Sequence, residues 1–128
     1  MLHHVTLWVP DLERAEASWS WLLGRLGYAR DASVERVVLL RHPAGTAVVL
    51  EQSTDMVPGM LYSRLRPGLN HMAFHVESSD EFASIETDAP EFGWSIFPSE
   101  RHAIAGGADV MYLEDRDGFE VELVAPPG

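Results

Sequence analysis

Two histidines and one glutamate carry the strongest chemical signal in this chain. His4 and His71 hold the same place in two similar segments, Leu2-His3-His4-Val5-Thr6-Leu7-Trp8-Val9 and Leu69-Asn70-His71-Met72-Ala73-Phe74-His75-Val76. Histidine falls on histidine at a constant spacing of 67 residues. Near the end, Phe119-Glu120-Val121-Glu122-Leu123-Val124 alternates, so an extended strand puts Phe119, Val121 and Leu123 on one face and Glu120, Glu122 and Val124 on the other. A glutamate held among apolar neighbours needs a cation or a proton to offset its desolvation. Pseudo-twofold packing of the two copies brings His4 and His71 to equivalent places, where they could share one ligand. The chain has no cysteine, so thiolate ligands, disulfides and cysteine nucleophiles are excluded, and any metal is held through nitrogen and oxygen. A lone strand histidine is more often a hydrogen-bonded core residue than a ligand; repetition and the company of Glu122 favour the metal here.

The elements that must position these groups follow from periodicity and turn chemistry. Residues 2–9 are rich in β-branched and aromatic types and stop at Pro10, which reads as a strand. A helix follows: Asp11 caps it, Leu12, Ala15, Trp19, Leu22, Leu23 and Leu26 recur at helical spacing, and Gly27 stops it. Residues 34–41 and 46–52 are strand-like around the turn His42-Pro43-Ala44-Gly45, and residues 53–67, with Pro58, Gly59 and Pro67, form a connector. A second pass then begins, with a strand at 69–76 and a helix capped by Ser78 and Glu81. Phe82, Ile85 and Ala89 face its core side, and Pro90 ends it. Strands at 109–114 and 119–124 flank the turn Asp115-Arg116-Asp117-Gly118, and Gly45 falls on Gly118 at a spacing of 73.

Composition sets the outer limits. At 128 residues and 46% hydrophobic content the chain supports one core and is too short for two independent domains, so a single domain is expected over 1–128. No run approaches the ~20 apolar residues of a membrane span, and no export signal is evident, which predicts a soluble cytoplasmic protein. Nine basic against twenty acidic residues give a formal charge of −11, which disfavours nucleic acid. A solvated acidic surface is the plain reading of that charge, and attraction of cationic ligands the sharper one.

The stretches His4-Val5-Thr6-Leu7-Trp8-Val9-Pro10-Asp11-Leu12, Leu69-Asn70-His71-Met72-Ala73-Phe74-His75-Val76 and Asp115-Arg116-Asp117-Gly118-Phe119-Glu120-Val121-Glu122-Leu123 resemble the signatures of the vicinal oxygen chelate superfamily. That superfamily includes glyoxalase I, fosfomycin-resistance transferases, extradiol dioxygenases, methylmalonyl-CoA epimerase and bleomycin-resistance proteins. The resemblance implies an α+β fold of two βαβββ modules, about 1–53 and 68–125 with a connector at about 54–67, forming a cup-shaped mixed sheet. It also implies a divalent ion (Mn, Fe(II), Ni, Zn or Mg) held by His4, His71 and Glu122, with open positions for a small oxygenated substrate whose oxyanion the metal stabilises. Superfamily members of this length generally pair, so a homodimer is expected.

Departures from the individual branches narrow the choice. Glyoxalase I and the epimerase carry a further glutamate where this chain has Val49. Glu51 lies two residues on, roughly 6–7 Å along the strand, and a register shift would deliver it as a fourth ligand or a base. Trp8 replaces the arginine that glyoxalase I uses for glutathione. Tyr112 matches a tyrosine of fosfomycin-resistance enzymes, but their lysine and serines correspond to His102, Gly106 and Val110. His75, His102 and Tyr112 are candidates for the additional groups of extradiol dioxygenases. Glu122, Glu51 and Tyr112 are thus the catalytic candidates, and Trp8, Val49, His75, Trp94 and His102 the substrate-facing ones. His3, His42 and Glu120 are read as facing solvent or a neighbouring strand and receive no chemistry; Gly106-Gly107 is a plain loop or a flap. The rival reading is a metal-free protein of the bleomycin-resistance kind, binding a cationic or hydrophobic drug, which the charge and the four tryptophans suit.

Overall fold

The computed structural model describes residues 1–101 and 105–127, apart from the side chains of 32 and 98–101. Contacts divide the chain into two units, Met1–Leu61 and Tyr62–Gly128, and the division falls inside the expected connector. Unit 1 runs β1 (His4–Trp8), α1 (Leu12–Arg25), β2 (Ala29–Val34), β3 (Val37–Arg41) and β4 (Ala47–Glu51). Unit 2 repeats the order with β5 (His71–His75), α2 (Ser79–Asp88), a 3-10 turn (Ala89–Phe92), β6 (Ser95–Arg101), β7 (Asp109–Glu114) and β8 (Glu120–Val124). Each unit is therefore a βαβββ module, and each holds one four-stranded mixed sheet, ordered β1-β4-β3-β2 and β5-β8-β7-β6. No described helix is long and apolar enough to cross a membrane.

The first and last strands of each unit pair in parallel, and the helix between them makes the crossover that a parallel pair requires. Asp11 caps α1 by accepting a hydrogen bond from the Arg14 amide at 3.0 Å, and Ser78 does the same for α2 from the Glu81 amide at 3.0 Å. Ala15, Trp19, Leu22 and Leu23 form the buried stripe of α1, and each leucine so buried contributes about 1.5–3 kcal/mol. In unit 1, Leu7, Val38, Leu40, Val48 and Leu50 share one buried sheet face. In unit 2, Leu113, Val121 and Leu123 do the same.

Three expectations need correction. A strand precedes the expected one in both units: β2 and β6 sit at the edges of their sheets, where one side of the ladder is unpaired and polar sequence is tolerated. Both carry a register shift, between Arg30 and Ala32 and between Phe97 and Glu100, and Pro98 lies within the second, a position that spares the ladder its missing N–H. The expected strand at 34–41 is split, because Val34 ends β2 and Glu35-Arg36 turn the chain back, with Arg36 at φ 67°. Pro90 does not stop the second helical segment; it occupies the first turn of the 3-10 extension, where its missing N–H has no partner to lose, and Gly93 at φ 90° ends the run.

Candidate functional site

Strand pairing confirms the internal repeat residue by residue. His4 lies opposite Ala47 as His71 lies opposite Glu120, and Leu39 lies opposite Val49 as Tyr112 lies opposite Glu122. One face of the unit 2 sheet consequently carries His71, Ala73 and His75 from β5, Glu120, Glu122 and Val124 from β8, and Tyr112 and Glu114 from β7. His71, Ala73, His75, Glu122 and Val124 line a cavity of about 470 Å³ together with Ala105 and Gly106. Gly106, read from sequence as part of a plain loop or flap, thus belongs to a cavity wall.

Within this cavity the Nε2 atom of His71 stands 3.1 Å from Oε1 of Glu122, whose residue is only 5% exposed. On the other side of the ring, His71 Nδ1 lies 2.7 Å from Oδ1 of Asn70 and 3.8 Å from Oε2 of Glu120. The Tyr112 ring meets the imidazole edge to face, with centroids 5.8 Å apart. Arg64 supplies the nearby positive charge, its Nε 3.3 Å from Glu120 Oε1 and its Nη2 3.3 Å from Glu114 Oε2, and its guanidinium lies over the Phe97 ring at 5.7 Å. Two of the three carboxylates on this face are thereby paired with a fixed cation, and Glu122 is left to His71. Tyr62, stacked on Phe119 at 4.1 Å, donates to the Leu69 carbonyl; burial raises its hydroxyl above the usual phenol value, Arg64 opposing and Glu120 adding.

The donor pair fits a metal on distance. Two ligands that share one ion at about 2.1 Å each, at right-angled to tetrahedral angles, stand roughly 3.0–3.4 Å apart. His71 Nε2 and Glu122 Oε1 are at that separation. Among the described residues no group of three His, Asp or Glu side chains that could hold an ion is found; what unit 2 brings together is the pair His71 and Glu122.

The other candidates are placed as follows. His4 is exposed on β1, its Nδ1 2.8 Å from Nδ1 of His3. Glu51 stays two residues beyond the Glu122 equivalent, opposite Trp8, and its Oε1 accepts the Trp8 indole N–H at 3.1 Å. Val49 does occupy the Glu122-equivalent position and is buried. Trp94 is 2% exposed and packs in the core, so it presents no surface for a ligand. Trp8 is half exposed, His75 lies on the cavity wall, and His102 lies outside the described residues. Sequence reading missed Asn70, Arg64 and Glu120. Asn70 stood beside His71 in the repeat, but Arg64 lies in the connector, where no periodicity marks it.

Comparison with known proteins gives a consistent picture. The family model described as the Glyoxalase/Bleomycin resistance protein/Dioxygenase superfamily matches residues 3–112. YqjT of Bacillus subtilis (strain 168), itself uncharacterised, is 32% identical over 127 residues, covering 98% of each chain. The crystal structure of a proposed glyoxalase from Bacillus halodurans superposes with a TM-score of 0.85 at 38% identity, covering 98% of this chain and 96% of that one. The fosfomycin resistance protein FosX of Listeria monocytogenes shares the fold, with a TM-score of 0.71, 22% identity and coverage of 99% and 93%. A variant of FosX has been crystallised with Mn(II) and 1S,2S-dihydroxypropylphosphonic acid.

Proposed function

The chain belongs to the Glyoxalase/Bleomycin resistance protein/Dioxygenase superfamily, and we propose that it is a divalent-metal-dependent enzyme of that superfamily, acting on a small oxygenated substrate. The observation that carries this reading is the approach of His71 Nε2 to Glu122 Oε1 at 3.1 Å in a cavity wall. A buried carboxylate and an imidazole nitrogen at ligand-to-ligand separation answer the demand for a cation that Glu122 creates by its burial. His71 and Glu122 would hold the ion. When bound, the ion supplies Lewis acidity to the charge that develops on a substrate oxygen.

The remaining residues have roles of their own. Tyr112 braces the His71 ring edge to face, and as the phenol beside that ring it is the side chain suited to give or take a proton. Arg64 pairs with both Glu114 and Glu120 and offsets one of their two negative charges, which lowers the charge the site presents to an anionic oxygen. His75 and Val124 bound the substrate space. FosX, crystallised with Mn(II), supports manganese as the first ion to try, and its fold likeness goes no further than that. We read the exposed Val57, Met60 and Leu61 of the connector as residues covered by a second copy in a homodimer.

Elemental analysis of protein purified without chelator, followed by Mn(II) titration monitored by electron paramagnetic resonance, tests the reading. His71→Ala and Glu122→Gln are expected to weaken Mn(II) binding by more than about 100-fold, beyond the effect of changing an outer-sphere partner. Wild-type protein that takes up no first-row divalent ion ends the proposal.

A further inference from the structure

We propose that Asn70 is a positioning residue that fixes the proton of His71 on Nδ1 and so presents the Nε2 lone pair towards Glu122. The reasoning begins with the amide. Asn70 Nδ2 donates to the Arg64 carbonyl at 2.9 Å, and a carbonyl can only accept, so the orientation of the amide is settled. Its Oδ1 then faces His71 Nδ1 at 2.7 Å, and an amide oxygen also can only accept. Nδ1 must carry the hydrogen. Turning the amide over would set oxygen against the Arg64 oxygen and is excluded by the same logic. Glu120 Oε2, 3.8 Å from Nδ1 and held by Arg64, adds negative charge on the side where the proton sits.

With Nδ1 so engaged, the atom left towards the cavity is Nε2, and opposite it at 3.1 Å is another acceptor, Glu122 Oε1. Two facing acceptors repel one another unless a cation lies between them, and a divalent ion held by both would meet that need. Free imidazole with a carboxylate beside Nε2 would otherwise place its single proton there and block the ligand atom; the shorter contact of Nδ1 with Asn70 Oδ1, 2.7 Å against 3.1 Å, draws the proton to Nδ1. The repeat supplies a second, independent instance. His3, the unit 1 counterpart of Asn70, bonds Nδ1 of His4 at 2.8 Å. In each unit the residue just before the repeated histidine occupies its Nδ1, although histidine can donate or accept and only asparagine imposes one tautomer.

The functional meaning of Asn70 rests on the metal reading above, whereas the tautomer itself does not, and the experiment separates them. Long-range 1H–15N correlation spectra of chelator-treated protein at one alkaline pH, with His71 assigned by its loss in His71→Ala, report which nitrogen bears the proton. Wild type is expected to show a pyrrole-like Nδ1 and a pyridine-like Nε2. Asn70→Ala should move the proton towards Nε2 and weaken Mn(II) binding by about 10–100-fold. Asn70→Asp, which keeps an acceptor for Nδ1 while its second oxygen loses the Arg64 bond and adds a charge, should keep the proton on Nδ1 and most of the affinity. Thermal melting of all three confirms that they fold. An unchanged His71 spectrum and affinity in Asn70→Ala overturn the assignment while leaving the metal site standing. A displaced proton in a protein that never binds Mn(II) upholds Asn70 and overturns the metal reading instead.

Discussion

The two units share a backbone plan and differ in what it displays. Ala47 and Val49 of β4 are buried and apolar, whereas their counterparts in β8 are Glu120 and Glu122; Leu39 of β3 has Tyr112 as its counterpart in β7. The opposite sheet faces are apolar in both, through Val48 and Leu50 in one and Val121 and Leu123 in the other. The turns repeat as well. His42 Nδ1 accepts the Ala44 amide at 3.0 Å as Asp115 Oδ1 accepts the Asp117 amide at 2.9 Å, and Gly45 and Gly118 both take the positive φ that closes the loop. Packing faces and turns therefore hold the frame constant, and the other face is free to carry Ala47 and Val49 in one unit and Glu120 and Glu122 in the other.

Replacing residues at matched positions probes this difference. The largest effect is expected for Val49→Glu, which gives unit 1 the carboxylate of unit 2 at a buried site without the Arg64 network. Metal-free protein should lose about 3 kcal/mol, a fall of roughly 10 °C in melting temperature. An unchanged melting curve would show that the Val49 position admits water, and that burial is not what separates the units.

The turn caps come next. Asp115 Oδ1 accepts two amides, from Asp117 and Phe119, both at 2.9 Å, whereas His42 Nδ1 accepts one. Chemical denaturation should find Asp115→Ala destabilising by about 2–3 kcal/mol and His42→Ala by about 1 kcal/mol. Equal losses would mean that the second bond and the buried charge contribute nothing. The smallest effect is expected for Glu51→Gln, since the amide oxygen still accepts the Trp8 indole N–H: stability should change by less than about 0.5 kcal/mol. Mn(II) affinity should stay within about threefold in the same titration, under 1 kcal/mol. A tenfold loss would make Glu51 a ligand and the two units more alike than their registers indicate.

Much of the frame was legible because repetition and period are written in residue types. The α1 stripe, both N-caps, the two hairpin turns and the alternation of Phe119, Val121 and Leu123 against Glu122 all follow from local chemistry. The edge strands were not legible from their own residues: Ala29-Arg30-Asp31-Ala32-Ser33-Val34 is mostly polar, and Ser95-Ile96-Phe97-Pro98 contains the residue that usually argues against a strand. Trp94 misled in the other direction, since an indole suits a ligand wall and a core equally well until its neighbours are known.

The order of residues by itself determined two copies of one module, the histidine that opens each, and the carboxylate that only the second copy carries. Tertiary structure alone decided that Arg64 from an unpatterned connector pairs Glu114 and Glu120, and that Asn70 is pinned by a carbonyl six residues earlier. It also decided that Glu51 turns to Trp8. The physical reason is that period and turn chemistry act between near neighbours along the chain. Which lone pair meets which proton depends on distances of a few ångströms between segments, and the sequence does not state those distances.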